Sequence, residues 1–239
     1  MWYISFRRDG ILAVMCAIAI MWSMGQAYMA ESVPVFSMPM SHKIVWIDAG
    51  HGAYEPGKVA GSVLEKDINL AIAVKLQGLL EVGGATVFMT RLDDEALSST
   101  KQGDMHTRRV MANASHADIF VSIHQNSYPQ GSVHGAQVFY FNTSDNSRKL
   151  AEHIQQQLKE FAGTNSRLQA RPNKNYYVLR QTTMPAVIVE CGFLTNYNER
   201  TRLTQADYQE RIAWGIYLGI VQYFDELASV VSQEGAVSQ

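Results

Sequence analysis

The stretch Val45–Trp46–Ile47–Asp48–Ala49–Gly50–His51–Gly52 decides how the rest of the chain is read. Its first half is apolar and rich in β-branched residues, the composition of a buried strand. The run stops at Asp48, and two glycines then bracket a histidine. Glycine lets the backbone turn sharply there and lets a ligand approach it closely. A histidine at the end of a buried strand is held rigidly and faces a cleft. A lone Gly–His–Gly also suits a satisfied turn histidine, so its meaning depends on what the other strands carry.

Outward from this strand the pattern alternates. Apolar residues at Ile68, Ala71, Ile72, Val74, Leu76, Leu79 and Leu80 have helical spacing and predict a helix over Glu65–Leu80, closed by Gly83–Gly84. Ala85–Thr90 reads as a second strand, closing on Arg91. After the polar loop Asp93–Gly103, Asp104 is the expected cap of a helix through Arg108, Val110 and Ala114. Asp118–Ile123 predicts a buried strand that ends at His124, and Gly135–Phe141 a further, aromatic one. Ser147–Phe161 is an amphipathic helix, and Gly163–Asn175 a polar, basic loop. Tyr176–Leu179 and Ala186–Val189 read as short strands, the second ending at Glu190, before a helix from Gln205 to about Leu227. Strands alternating with helices, several of them apolar throughout, predict an α/β fold with a mostly parallel sheet covered by helices on both faces.

At 239 residues the chain suits one sizeable domain, here placed at 43–227 with a C-terminal tail at 228–239. A formal net charge of −2 and the lack of a basic stripe argue against nucleic acid as a partner. Two cysteines, Cys16 and Cys191, are too few for a disulfide framework, and no bridge between them is expected. Arg7 and Arg8 precede an apolar run, Ile11–Trp22, followed by the small-residue site Gly25–Gln26–Ala27. This is the layout of a secretory signal peptide. Uncleaved, Ile11–Ala30 has about the ~20 residues of a membrane span. Residues 1–30 are therefore a signal peptide or an N-terminal membrane anchor, and 31–42, with Pro34 and Pro39, a linker. A lipoprotein reading through Cys16 is disfavoured because Met15 is not small.

In sheets of this kind functional residues gather beyond the carboxyl ends of the strands. His51, His124 and Glu190 each fall at or near such an end, and Glu65 opens the helix that returns beside the first strand. Two histidines and one carboxylate are a known set for catalytic zinc, with a fourth position left for water. Glu190 follows Val187–Ile188–Val189, where a carboxylate is costly unless paired or functional. Taken singly, Glu65 also suits the helix dipole, and His124 a satisfied core position. There is no His–Glu–x–x–His, Cys–x–x–Cys, phosphate loop or Gly–x–Ser–x–Gly elbow. His42, His106, His116, His134 and His153 read as surface or structural, and Cys191 as a small buried hydrophobe.

The blocks IDAGHG, LEKDINLAIAVKL, Thr90–Arg91, RRVMANASHADIFVSIHQN, VLR and PAVIVECGFLTNYNE resemble the zinc-dependent N-acetylmuramoyl-L-alanine amidases of the amidase-3 family, in order and spacing, from about Lys43 to Phe224. The resemblance implies a three-layer α/β sandwich and one zinc ion on His51, Glu65 and His124. It makes Glu190 the catalytic glutamate and puts Asn126 near the substrate. The implied reaction is hydrolysis of the amide between the lactyl group of muramic acid and L-alanine in peptidoglycan. Ala53 stands where the family usually has a second glycine after the histidine, and the loop Ala53–Ser62 is not its usual acidic one. Little is left between His124 and Glu190 for the blocking helix of division-type relatives, and no wall-binding module is attached. Small size, leader and bare catalytic domain resemble the germination-specific (CwlD-type) amidases of spore formers. That resemblance implies spore-cortex maturation in the space between the forespore membranes, with restraint supplied by timing, place or an accessory protein. A vegetative wall amidase, a non-catalytic wall-binding protein and a zinc carboxypeptidase remain open. The last would use Arg167, Arg171, Lys174 and Arg180 as a carboxylate clamp.

Overall fold

The computed structural model describes residue 10, residues 15–22 and residues 38–237 apart from 162 and 164–166. It divides into two units, Met1–Ser37 and Met38–Gln239. In the first, residues 15–22 are helical. Most of the expected leader and linker lies outside the described residues. Among those described, no helix is long and apolar enough to cross a membrane.

The second unit is a six-stranded sheet with helices on both faces. Strand β1 is Ile44–Ala49. A small antiparallel hairpin, β2 (Val59–Ala60) and β3 (Val63–Leu64), leads into α1, Glu65–Val82. Then follow β4 (Thr86–Met89), α2 (Lys101–Ala114), β5 (Ile119–Asn126) and β6 (Gln137–Tyr140). The chain continues through α3 (Asp145–Phe161), β7 (Arg171–Pro172), α4 (Tyr177–Gln181) and β8 (Ala186–Phe193). It closes with α5 (Tyr197–Leu203) and α6 (Ala206–Val237). The sheet order is β4-β1-β5-β8-β6-β7. The first four strands are parallel, and β6 pairs antiparallel with β8.

The period-2 alternation of the central strands sorts their side chains into two cores. Val45, Ile47, Ala49, Ile119, Val121, Ile123, Val187, Val189 and Cys191 face one side, against apolar residues of α1, α3 and α6. Trp46, Phe120, Ala186 and Ile188 face the other, against Ala112 of α2 and Leu179 of α4. Each buried aliphatic side chain contributes about 1.5–3 kcal/mol, so the first face dominates stability. On the second face the same alternation brings Asp48, Ser122, His124 and Glu190 to the carboxyl end of the sheet.

Local bonding explains the helix that carries Glu65. Its first amides, on Glu65 and Lys66, donate to the carbonyls of Lys58 and Pro56 instead of to a capping side chain. Its end is the glycine-dependent turn expected at Gly83–Gly84. Gly84 has φ +95°, its amide donates to Glu81 O, and that of Ala85 donates to Leu80 O.

Four expectations need correction. The cap of α2 is Thr100, whose Oγ1 accepts from Gly103 N, and not Asp104. Asp104 sits a turn later and accepts from Leu97 N and Arg108 Nε. Tyr176–Leu179 is not a strand: Arg180 N and Thr182 N donate to the carbonyls four residues back, making the short helix α4. Strands β5 and β8 do not stop before His124 and Glu190 but run on to Asn126 and Phe193, because the two strands continue to pair through a bulge. Helix α6 carries on past Leu227 to Val237.

Candidate functional site

Three chain segments deliver three metal-type donors to one point. His51 lies two residues beyond β1, Glu65 is the first residue of α1, and His124 lies near the end of β5. One ligand atom from each can be chosen so that all lie within 4.8 Å of one another. Glu65 Oε1 is 2.9 Å from His124 Nδ1 and 3.3 Å from His51 Nε2. The two rings are 5.0 Å apart and near perpendicular, at 80°.

The backbone leaves room for this meeting only through glycine. A Cβ on Gly50 would stand 2.3 Å from the His124 ring, and one on Gly57 2.5 Å from Glu65 Oε2. Glu65 is further fixed by amides, with Oε1 accepting from Gln125 N and Oε2 from Lys58 N. Burial alone would raise its carboxyl pKa, but the hydrogen bonds and charges of His124 and His51 hold it well below the usual carboxylate range. Burial likewise lowers His124, and Glu65 more than offsets this, so its pKa is raised overall. Three converging donors, one of them a carboxylate already held ionised, suit a zinc ion.

Glu190 stands beside His124 in the β5–β8 register. It is 8% exposed, and its Oε2 is buried with no hydrogen-bond partner among the described residues. Burial pushes its carboxyl up to about 7, against the lowering charge of His124. His51, His124 and Glu190 line one cavity, together with Asp48, Met105, Arg108, Tyr176 and Ile188. Asn126 is on the same face of β5 two residues further on, but does not line this cavity. Its Oδ1 accepts from Ser127 N. Cys191 points to the opposite core, fully buried, and burial pushes its thiol pKa up. Arg171 and Lys174 line a separate groove and Arg180 another depression, so none of the three lines the cavity.

Sequence reasoning missed the residues that hold the loop. Arg108 donates to Asp48 Oδ1 (2.6 Å), Ala49 O and His51 O. Arg91 donates to Ala49 O, Gly50 O, Lys66 O and Asp93 O. The signal was present: Arg91, like His124 and Glu190, is a polar residue closing an apolar run. Asn69, one turn into α1, adds a bond from Nδ2 to Gly50 O. Outside the ring donors, Glu55 faces His51 Nδ1 at 3.7 Å and pairs with Lys101 at 3.3 Å.

The buried Asp48–Arg108 pair gives a pH-dependent contribution to stability. Burial raises the Asp48 carboxyl, but Arg108 and the Ser122 hydroxyl outweigh it and hold the carboxyl below its usual range. The contribution is therefore complete above the unfolded value of about 3.9 and fades as pH falls through the lower folded value. Asp48→Asn is expected to cost about 3–5 kcal/mol at neutral pH, as for one partner removed from a buried ion pair. Urea unfolding at several pH values checks this: the gap between parent and variant should close in acid.

Comparison with known proteins identifies the family and the fold. A family described as N-acetylmuramoyl-L-alanine amidase, amidase-3, matches residues 45–222. The germination-specific N-acetylmuramoyl-L-alanine amidase of Bacillus subtilis (strain 168) is 36% identical over 204 residues, covering 82% of this chain and 86% of that one. The CwlD amidase of Clostridioides difficile, solved in complex with the GerS lipoprotein, superposes with a TM-score of 0.74 at 38% identity, covering 77% of this chain and 98% of that one. The catalytic domain of CwlV, an amidase from Bacillus (Paenibacillus) polymyxa var. colistinus, gives 0.69 at 36%, covering 77% and 98%. With its sheet, its converging donors and a family match over most of its length, this chain belongs to the amidase-3 family of N-acetylmuramoyl-L-alanine amidases.

Proposed function

We propose that this protein is a zinc amidase that cuts the bond between the lactyl group of N-acetylmuramic acid and L-alanine, and that it acts during spore-cortex maturation. The observation that carries the chemistry is the meeting of His51, Glu65 and His124 beside the cavity that His51, His124 and Glu190 line. The first three would hold the metal. When bound, zinc supplies a Lewis acid that makes water a competent nucleophile near neutral pH and steadies charge on the attacked carbonyl. Glu190 accepts the proton of the attacking water and returns it to the departing L-alanine amine. Its Oε2 has no internal bond to break first.

The carboxypeptidase reading lacks its clamp in this cavity. The cations that line it, Lys101 and Arg108, are paired with Glu55 and Asp48, and the surface arginines and lysine first considered lie elsewhere. A wall-binding protein without activity needs neither the donor set nor an unpartnered buried glutamate. The cortex role draws support from similarity to the germination-specific relative along most of both chains. Export or N-terminal anchoring rests on the Arg7–Arg8 flank and the Ile11–Trp22 run. An accessory protein fits the same picture, since one relative was solved with a lipoprotein.

Mass spectrometry of muropeptides tests both levels. Purified protein acting on peptidoglycan should release intact stem peptides and leave lactyl-bearing muramic acid, while shortened stems would indicate a carboxypeptidase. Cortex from a deletion strain should lack muramic lactam. Normal lactam together with chained vegetative cells would sink the cortex role and leave the chemistry standing.

A further inference from the structure

Arg91 is 2% exposed and does not line the cavity, so hydrolysis itself gives it nothing to do. Its partners are unusual for a buried cation. Nε donates to Ala49 O at 3.0 Å and Nη1 to Asp93 O at 2.8 Å. Nη2 donates to both Gly50 O at 3.2 Å and Lys66 O at 2.8 Å. All four acceptors are backbone carbonyls, and among the described residues no carboxylate comes within ion-pair distance of it. A buried charge without a counter-charge is costly, and Arg108 shares its Ala49 acceptor.

The position of the acceptors gives the reason. Gly50 precedes His51, and Lys66 follows Glu65. One nitrogen atom, Nη2, thus ties the backbone beside one metal-type donor to the backbone beside another. The loop it grips needs holding. His51 has φ +63°, a left-handed conformation that is uncommon outside glycine. Carbonyls 49, 50 and 51 each accept from a guanidinium, the last from Arg108. Only a planar fork with donors in fixed directions serves several carbonyls at once, and a lysine ammonium presents a single nitrogen.

We propose that Arg91 is a positioning residue for the metal centre: its guanidinium sets the spacing of His51 and Glu65, and so the affinity and geometry with which they hold zinc. This rests on reading His51, Glu65 and His124 as ligands. The test compares Arg91→Lys with Leu158→Ala, a core substitution in α3, a helix that supplies none of the three donors. For each, zinc affinity is measured by chelator competition, and the cobalt-substituted protein by its visible absorption. Arg91→Lys should bind zinc about 10–100-fold more weakly, as for loss of a group that orients a ligand, and shift the cobalt spectrum. Leu158→Ala should lower the unfolding temperature and leave both readouts unchanged. If Arg91→Lys folds only with metal, the zinc concentration at half-folding gives the same comparison. Unchanged affinity and spectrum in Arg91→Lys would overturn the assignment. So would failure to fold at any zinc concentration, which would make Arg91 a folding residue. A parent protein that takes up no zinc would instead sink the metal reading itself.

Discussion

Glu190→Gln is expected to hydrolyse peptidoglycan at least ~10²-fold more slowly than the parent, the span typical of losing a general base. Zinc should stay near one per chain, because Glu190 is not among the three converging donors. The amide has the carboxylate's shape but cannot take a proton. The buried setting sharpens the contrast: among the described residues Oε2 has no hydrogen-bond partner, so the substitution breaks no structural bond at that atom. Steady-state kinetics beside elemental analysis makes the measurement. Hydrolysis at the parent rate would make Glu190 structural and require another base.

His124→Ala is expected to remove most of the metal and, with it, nearly all activity. Two protein donors remain, His51 and Glu65, and Glu65 loses its 2.9 Å partner. The loss of affinity should exceed the ~10–100-fold that follows removal of an outer partner alone. Elemental analysis of the folded variant reads it directly, and full zinc content would take His124 out of the ligand set. The variant should still fold, since the ring occupies space over Gly50 and is not part of either apolar core.

Those two residues were legible in the sequence because each interrupts an apolar run. Position along the strand was harder to read. Ser122, His124 and Asn126 alternate with Val121, Ile123 and Gln125, which is the signature of a strand continuing with one polar face. Ending it at His124 ignored that alternation. Tyr176–Leu179 has the aromatic and β-branched composition of a strand, yet only Leu179 is deeply buried, and local bonds between residues four apart prevail. Thr100 and Asp104 are both good caps by type. Which of them caps depends on the loop, where Asp104 is engaged by Leu97 N. Arg91 is marked by the apolar run it closes, but what Arg91 and Arg108 hold was out of reach for a different reason. The loop carbonyls they hold are 41 to 59 positions away, and a carbonyl carries no residue-specific signal.

The unequal thickness of the two faces of the sheet has a dynamic meaning. Beneath one face α1, α3 and α6 interlock around the larger core, while the cavity side is walled in part by α4, five residues that bury Leu179 alone. Opening free energy within a fold scales with such local burial, from near zero at thin elements to the global value in the core. The wall at Tyr177–Val178 therefore belongs to the low end of that scale, while β1 and β5, which lead to His51 and His124, belong to the larger core. Hydrogen exchange is therefore expected to run faster at the amides of α4 than at those of β1 and β5.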